Sequence, residues 1–213
     1  MTNLLNAVLV LLLVMNLAAL GTSRILAVTH IVAAQGVLLG LIPLLVHEHL
    51  SIAVALTVIA AVFIKAAVIP AIIIRALRDA QIKREVQPLI GLLPSLILGA
   101  IATAFALLFA GQLPLAKAHE GTLIVPTAIS TVFVGFIILV TRYKAISQVI
   151  GYLILENGIF IFGMLLIEAM PLVVELGVLL DLFVGIFVAC IIINHINQAF
   201  SSMDTRKLVS LKE

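Results

Sequence analysis

Apolar stretches long enough to cross a bilayer follow one another along this chain, with short polar breaks between them. The sequence is 64% hydrophobic and only 10% charged, and its mean hydropathy is +1.35. A helix needs about 20 mostly apolar residues to span the hydrocarbon core. Because lipid offers backbone groups no hydrogen-bond partner, each stretch must be helical. The sequence therefore predicts an all-α, polytopic membrane protein without a soluble domain.

By this length criterion we predict seven transmembrane helices. They lie near 3–22, 25–46, 51–76, 89–111, 121–141, 145–169 and 172–197. The chain is expected to divide into an N-terminal three-helix part, a linking helix, a second three-helix unit and a cytoplasmic tail. These parts cover residues 1–88, 89–120, 121–200 and 201–213.

Basic residues indicate the orientation of the predicted spans. Ten of the twelve Lys and Arg residues follow spans 1, 3, 5 and 7, namely Arg24, Arg75, Arg78, Lys83, Arg84, Arg142, Lys144, Arg206, Lys207 and Lys212. Loops rich in Lys and Arg stay on the cytoplasmic side. We therefore predict an outside N-terminus and a cytoplasmic C-terminus, in the inner (cytoplasmic) membrane of the cell.

Four ionisable side chains lie inside these apolar stretches: Lys65, Glu156, Glu175 and Asp181. A charge at the bilayer centre costs about 2.5–3.5 kcal/mol on translocon scales, so such residues usually serve a function. Helical rise places Lys65 and Asp181 roughly 15 Å deep and Glu156 roughly 18 Å deep. Glu175 lies only about 6 Å from the outer end of its span. These four residues are predicted to form a proton path, although the sequence does not determine which helices are neighbours.

Two further polar residues fall in the second span. His30 and Gln35 could each belong to a water wire or hydrogen-bond a neighbouring helix, and the sequence favours neither. Asn16 in the first span is interpreted as a packing group.

Local sequence around two of the charges is also informative. Asn157 adds a polar group beside Glu156, and Gly158 predicts a close approach of another helix. Pro70 follows Lys65 in the same span and frees a backbone carbonyl near Ala66. A polar, kinked spot beside a lysine is typical of a water-accessible site.

Enzymatic chemistry has no visible basis in this chain. The lone cysteine, Cys190, cannot form an internal disulfide or hold an iron–sulfur cluster by itself. No nucleotide-binding glycine pattern, nucleophile triad or zinc motif is present. We expect no active site, cofactor or metal in this chain and no nucleic-acid partner.

An ordered set of motifs extends over essentially the whole chain. They are Gln35, Phe63–Lys65 with Pro70, Gln148–Tyr152, Leu155–Gly158, Pro171–Gly177 with Asp181, and Leu208–Lys212. The last three spans resemble the small three-helix subunit of respiratory complex I and the matching subunit of multisubunit sodium/proton antiporters. The chain as a whole resembles component E of hydrogenase-4-type formate hydrogenlyase complexes, which has four additional N-terminal helices.

This resemblance implies a subunit at the centre of a membrane arm. It would link a peripheral redox module, carrying a nickel–iron hydrogenase or a relative, to antiporter-like proton channels, with lipids around it. Two alternatives stay open: a cation/proton antiporter or gradient-driven complex without a hydrogenase, and a purely structural anchor. The buried charges argue against the anchor, whereas nothing in this chain separates the other two.

Overall fold

The computed structural model of the protein describes residues 2–46, 59, 62–79, 89–113, 121–142, 144–165 and 177. Every regular element within these ranges is a helix, so the predicted helical fold is confirmed there. In chain order the elements are α1 (Thr2–Gly21), α2 (Ile25–Val46), a π-helical segment (Ile64–Val68) that runs into α3 (Ile69–Asp79), α4 (Leu92–Ala110), α5 (Ile124–Thr141) and α6 (Ala145–Gly163).

Four of these helices are long and apolar enough to cross a membrane, namely α1, α4, α5 and α6. Helix α2 contributes a shorter apolar stretch over Ile25–Gly40. All five coincide with predicted spans, which identifies the chain as a helical membrane protein. The seventh predicted span apart from Gly177, and residues 51–58, 60 and 61 of the third, lie outside the described residues, as do Glu175, Asp181 and Cys190.

Hydrogen bonds at the two ends of α1 set its direction against α5. At one end, Asn6 donates to the Gly121 carbonyl at 3.1 Å and accepts from the Leu123 N–H at 3.0 Å. At the other end, the Arg142 guanidinium donates to the Leu20 carbonyl at 3.4 Å. The N-terminal ends of the two helices lie together and so do their C-terminal ends, so α1 and α5 are parallel. We call the end that contains Arg142 the basic end.

The buried apolar side chains form two separate cores, one toward each end of the bundle. The core at the basic end contains Ala19, Leu20, Ile25, Val32, Ile69, Ile73, Leu77, Val134, Ile138, Ile150, Leu153 and Ile154. The core at the opposite end contains Leu5, Leu9, Leu12, Leu39, Ile42, Ile124, Ala128, Ile161 and Met164. Helices α1, α2, α5 and α6 all contribute to both cores, so each crosses the level between them.

Glycines bring α5 and α6 into backbone contact. A Cβ on Gly135 would lie 2.5 Å from the Leu155 nitrogen, and one on Gly158 would lie 2.7 Å from the Val132 nitrogen. Small residues allow membrane helices to approach this closely. In lipid there is no hydrophobic driving force between helices, so close van der Waals packing stabilises their association instead. The close approach predicted at Gly158 is confirmed. It fixes the position of the neighbouring α6 residues along the helix axis.

Large apolar side chains cover much of the outer surface of the bundle. Helix α4 is the most exposed of the four spanning helices, with Leu93, Ile101 and Leu108 each more than half exposed. An exposed apolar surface of this extent suits hydrocarbon or another membrane helix better than water.

Candidate functional site

Lys65 and Glu156 form an ion pair between the two cores. The Lys65 Nζ lies 3.1 Å from the Glu156 Oε1, with the lysine side chain 12% exposed and the glutamate 4% exposed. The same Nζ lies 5.5 Å from the centre of the Phe160 ring, one helical turn beyond Glu156. Both charges are largely removed from solvent, so their mutual attraction is screened much less than that of a surface pair.

A π-helical turn presents Lys65 to this position. The Ile69 N–H donates to the Ile64 carbonyl, which is the wider hydrogen-bonding step of a π-helix. Pro70 follows directly, has no N–H, and would clash with the carbonyl of Ala66 in a regular α-helix. The wide turn relieves that conflict. The disturbance that Pro70 predicts in this span is therefore present, and π-turns of this kind are frequent at functional sites.

Helix α2 packs beside the π-helical segment at Gly36. A Cβ on Gly36 would lie 3.5 Å from the Lys65 Cβ and 3.5 Å from the Ala66 nitrogen, which is ordinary van der Waals contact. Gln35 is the preceding residue of α2.

Helix α6 positions Glu156 and Asn157 between two glycine contacts. Leu155 packs on Gly135, and Gly158 packs on Val132 one turn away. Glu156 and Asn157 are both buried.

A chain of hydrogen bonds joins three other helices at the same level. The Gln35 Nε2 donates to the Asn16 Oδ1 at 2.8 Å, and the Asn16 Nδ2 donates to the Thr131 Oγ1 at 2.7 Å. The Thr131 hydroxyl donates in turn to the Thr127 carbonyl at 2.7 Å. Gln35, Asn16 and Thr131 are each 2% exposed or less. Such bonds between membrane helices fix which faces meet.

These side chains together form what we call the polar layer: Asn16, Gln35, Lys65, Thr131, Glu156 and Asn157. A further hydrogen bond of 2.8 Å between Thr103 and Ser130 extends polar contact to α4. Buried polar atoms of this region without a hydrogen-bond partner among the described residues include Gln35 Oε1, Thr127 Oγ1 and Asn157 Nδ2. Buried polar groups are normally paired, often by internal water, so this region has the chemistry to hold water molecules.

The structure brings together four of the seven residues singled out from the sequence, namely Lys65, Glu156, Gln35 and Asn157. Of the two interpretations open for Gln35, it makes the hydrogen bond to a neighbouring helix. His30 lies on an exposed part of α2, away from the polar layer. Glu175 and Asp181 lie outside the described residues, so the predicted pairing of Asp181 with Glu156 stays a prediction.

Three contributions were not anticipated from the sequence. Asn16 and Thr131 link the helices of the polar layer, where packing alone was expected of Asn16. The sequence feature that could have indicated this role is a polar residue inside an apolar helix. Many membrane helices without a functional role carry such residues as well. Arg142 was expected as a loop charge but is only 5% exposed and caps the C-terminal end of α1. The sequence signal for Arg142 was its position directly after a span. The excess of Lys and Arg on the cytoplasmic side already explained that position.

The chemistry that a buried carboxylate–ammonium pair can support is proton exchange on the carboxylate. At 3.1 Å and an effective dielectric of 20, the gross attraction between the two charges is about 5 kcal/mol. A proton on Glu156 would abolish this attraction.

Helices of membrane-spanning length around a buried ion pair define this chain as a polytopic membrane protein with a charged interior. It belongs to the same family as the uncharacterized protein Rv0085 of Mycobacterium tuberculosis (strain ATCC 25618 / H37Rv). The two are 33% identical over 196 residues, which cover 88% of this chain and 86% of that protein. Neither a protein-family profile nor a solved structure matches the chain.

Proposed function

We propose that this protein is the proton-handling membrane subunit of a redox complex related to complex I, with a group 4 [NiFe]-hydrogenase-like peripheral module. The observation that carries the proposal is the Lys65–Glu156 ion pair within the polar layer. The pair would take up and release protons as electrons pass through the peripheral subunits. In this scheme Asp181 and Glu175 continue the path, and the chain has seven spans with its N-terminus outside.

Energetics favour a functional over a structural reading of the pair. Replacing a buried ion pair by apolar side chains of similar size is often neutral or stabilising. A scaffold subunit would therefore gain nothing by keeping Lys65 and Glu156. Ionisable residues inside membranes usually mark ion pathways or proton relays.

The surroundings of the pair also support proton transfer. Gln35 Oε1, Thr127 Oγ1 and Asn157 Nδ2, which have no hydrogen-bond partner in the described part of the chain, provide donors and acceptors to which water could bind. The π-turn at Lys65 supports the same role because such turns cluster at functional sites.

The kind of complex rests on the sequence resemblance described above. Its motifs include Phe63–Lys65 with Pro70 and Leu155–Gly158, which carry both members of the ion pair. A cation/proton antiporter without a hydrogenase would use the same pair, and the partner subunits distinguish the two assignments.

The first experiment identifies those partners. The tagged full-length protein is purified from its native membranes in a mild detergent, and the co-purifying proteins are identified by mass spectrometry. A hydrogenase-like large subunit with iron–sulfur proteins and antiporter-like chains is expected. Antiporter-like chains alone would transfer the assignment to the antiporter class.

The second experiment tests the ion pair itself. Inverted membrane vesicles with Glu156→Gln or Lys65→Met are compared with wild type for proton uptake during substrate oxidation. Both variants should lose most of the uptake while the complex still assembles. Lys144→Gln is the matched control, because this lysine lies at the start of α6 outside the polar layer. Full proton uptake in both variants would overturn the proposal.

A further inference from the structure

A cavity at the basic end of the bundle lies between α1, α2, α5 and α6. Its polar lining residues are Thr22, Ser23, Arg142 and Ser147, and apolar side chains of the adjoining core complete its wall. Arg142 and Ser147 are each 5% exposed and belong to the inner wall. The two residues from the α1–α2 loop are half-buried and lie nearer the mouth. The enclosed part has a volume of about 20 Å³, enough for one water-sized group, and the remainder is open to the outside.

The guanidinium group of Arg142 gives this cavity a permanent positive charge, because arginine stays protonated in proteins. Its Nη2 donates to the Leu20 carbonyl at 3.4 Å, which holds the group at the end of α1. The N–H donors of a guanidinium form a planar fork that matches two oxygens of a phosphate group. Five such donors can serve a carbonyl and a phosphate at the same time.

Membrane topology does not explain the burial of Arg142. The excess of Lys and Arg on the cytoplasmic side accounts for the presence of basic residues at this end of the bundle. It does not require one of them to line a cavity. Basic pockets between transmembrane helices on the cytoplasmic side are typical binding sites for phosphate-containing lipid head groups.

Two helix ends and a hydroxyl group add donors to the cavity. Helix α2 begins at Ile25, which lines the cavity, and Ser147 lies in the first turn of α6. Neither helix has an acidic residue in its first turn, and the N-terminus of a helix favours an anion. At the mouth, the Thr22 Oγ1 accepts from the Arg24 N–H at 3.3 Å, and a hydroxyl that accepts one hydrogen bond can donate another.

The charges beside the cavity have the same sign as Arg142. Arg24, which is exposed, and Lys144, which is half-buried, directly precede α2 and α6. The carboxylate that the described residues of the four surrounding helices carry is Glu156, which lies about 14 Å from Ser147 along α6. Clustered charge of one sign raises the local concentration of oppositely charged ligands.

We propose that this cavity binds a phosphate group, with Arg142 as the main ligand and Thr22 and Ser147 as hydroxyl donors. One phosphate oxygen enters the enclosed part, and the rest of the group stays at the mouth near Arg24. The phosphodiester of an anionic lipid and free inorganic phosphate share this chemistry, and binding measurements separate the two sources. The cavity is distinct from the polar layer, so the inference does not depend on the proposed proton transfer.

Native mass spectrometry measures the binding of phosphate-containing ligands to the purified full-length protein in detergent. The probes are dioleoylphosphatidylglycerol, dioleoylphosphatidylcholine and inorganic phosphate. Phosphatidylglycerol should bind roughly tenfold more tightly than phosphatidylcholine, whose choline cation is repelled by the basic surroundings. Displacement of phosphatidylglycerol by inorganic phosphate identifies free phosphate as the ligand, and retention of the lipid identifies the head group. Equal binding of the two lipids without displacement by inorganic phosphate overturns the proposal.

Variants of the cavity test which residues bind the phosphate. Arg142→Gln should weaken the binding of phosphatidylglycerol by roughly tenfold, because charge-assisted hydrogen bonds are lost. Arg78→Gln is the matched control, since it removes an exposed arginine at the same end that does not line the cavity. Equal losses in these two variants, or none in Arg142→Gln, overturn the proposal.

A second cavity variant covers the case in which Arg142→Gln does not fold. Thr22→Val removes a hydroxyl at the mouth with little change in volume and leaves every charge in place. It should weaken the binding of phosphatidylglycerol by roughly fivefold. Unchanged binding in Thr22→Val excludes the hydroxyl donor at the mouth and overturns the proposed geometry.

A distance measurement tests the contact itself. Rotational-echo double-resonance NMR on the frozen complex detects ¹⁵N-labelled arginine side chains close to the ³¹P nucleus of the bound probe. A separation of about 4 Å, as in a direct hydrogen bond, is expected in the wild type and in Arg78→Gln. This short separation should be absent in Arg142→Gln. Its persistence there overturns the assignment of Arg142 as the ligand.

Discussion

The Lys65 Nζ lies 3.1 Å from the Glu156 Oε1 although the two residues belong to opposite halves of the chain. Phe160 closes over the ammonium group from the next turn of α6. The pair lies between two apolar cores, so it is surrounded along the membrane normal by side chains that cannot solvate it. Its stability therefore depends on the pairing itself and on the polar groups around it.

Removal of one partner of the ion pair should destabilise the protein more than removal of both. Lys65→Met and Glu156→Gln should each lower the free energy of unfolding by about 3–5 kcal/mol, because each leaves a buried polar group without its counterpart. The double variant should lose clearly less than the sum. Unfolding by SDS titration in mixed micelles measures the four free energies. Strict additivity would show that the two side chains do not interact.

The glycine contacts between α5 and α6 should be intolerant of even one methyl group. Gly135→Ala should lower the free energy of unfolding by about 3 kcal/mol, because the new Cβ would meet the Leu155 backbone at 2.5 Å. Gly163→Ala is the matched control, since a Cβ there has no atom within 4 Å among the described residues. Thermal unfolding in detergent compares them. Similar melting temperatures for the two variants would contradict the close approach.

Pro70 should be needed to keep Lys65 in register with Glu156. In Pro70→Ala, residue 70 regains an N–H that can bond the Ala66 carbonyl, which favours a regular α-helix over the π-turn. The π-turn contains about one residue more than an α-helical turn. Its loss would therefore rotate Lys65 about the helix axis by up to roughly 100°. The coupling free energy between Lys65 and Glu156, measured by the same double-variant cycle, should then fall to near zero.

Pro94→Ala provides the control for that experiment. Pro94 lies in the first turn of α4, where backbone N–H groups have no partner within the helix. Its replacement should leave the Lys65–Glu156 coupling unchanged. Full coupling in Pro70→Ala as well would mean that the π-turn is maintained by packing and not by the proline.

Arg142 should contribute to stability as a helix cap rather than only to topology. Arg142→Gln should lower the free energy of unfolding by about 1–2 kcal/mol, because a buried cation at the C-terminal end of α1 is lost. Lys144→Gln, at a partly exposed position, should cost about 0.5 kcal/mol or less. Chemical unfolding of both variants, followed by circular dichroism, gives the comparison. Equal losses of unfolding free energy in the two variants would mean that Arg142 contributes only to the charge bias that sets the topology.

Much of the fold could be predicted because hydropathy is a local property. Five predicted spans coincide with described helices, including α1 at Thr2–Gly21 and α2 at Ile25–Val46. Each apolar stretch must become a helix in lipid whatever its neighbours are. The depth of Lys65 and Glu156 could be estimated for the same reason, since it depends only on the rise along each helix.

The partners of the charged residues could not be predicted in this way. Which acid faces Lys65 depends on which helix faces meet, and hydropathy does not encode that choice. In this protein the choice follows from contacts such as Gly36 on Lys65 and Gly158 on Val132. The direction of the Gln35–Asn16–Thr131 chain likewise depends on three helices at once.

The sequence by itself therefore determined that the chain is a bundle of membrane helices with charges buried at mid-depth. Only the tertiary structure decided that Lys65 pairs with Glu156, that a π-turn presents it, and that Gln35 hydrogen-bonds Asn16 of another helix. The physical reason is that solvent preference acts on each segment separately. Ion pairing and hydrogen bonding act at 3 Å or so and require the side chains of packed helices to meet.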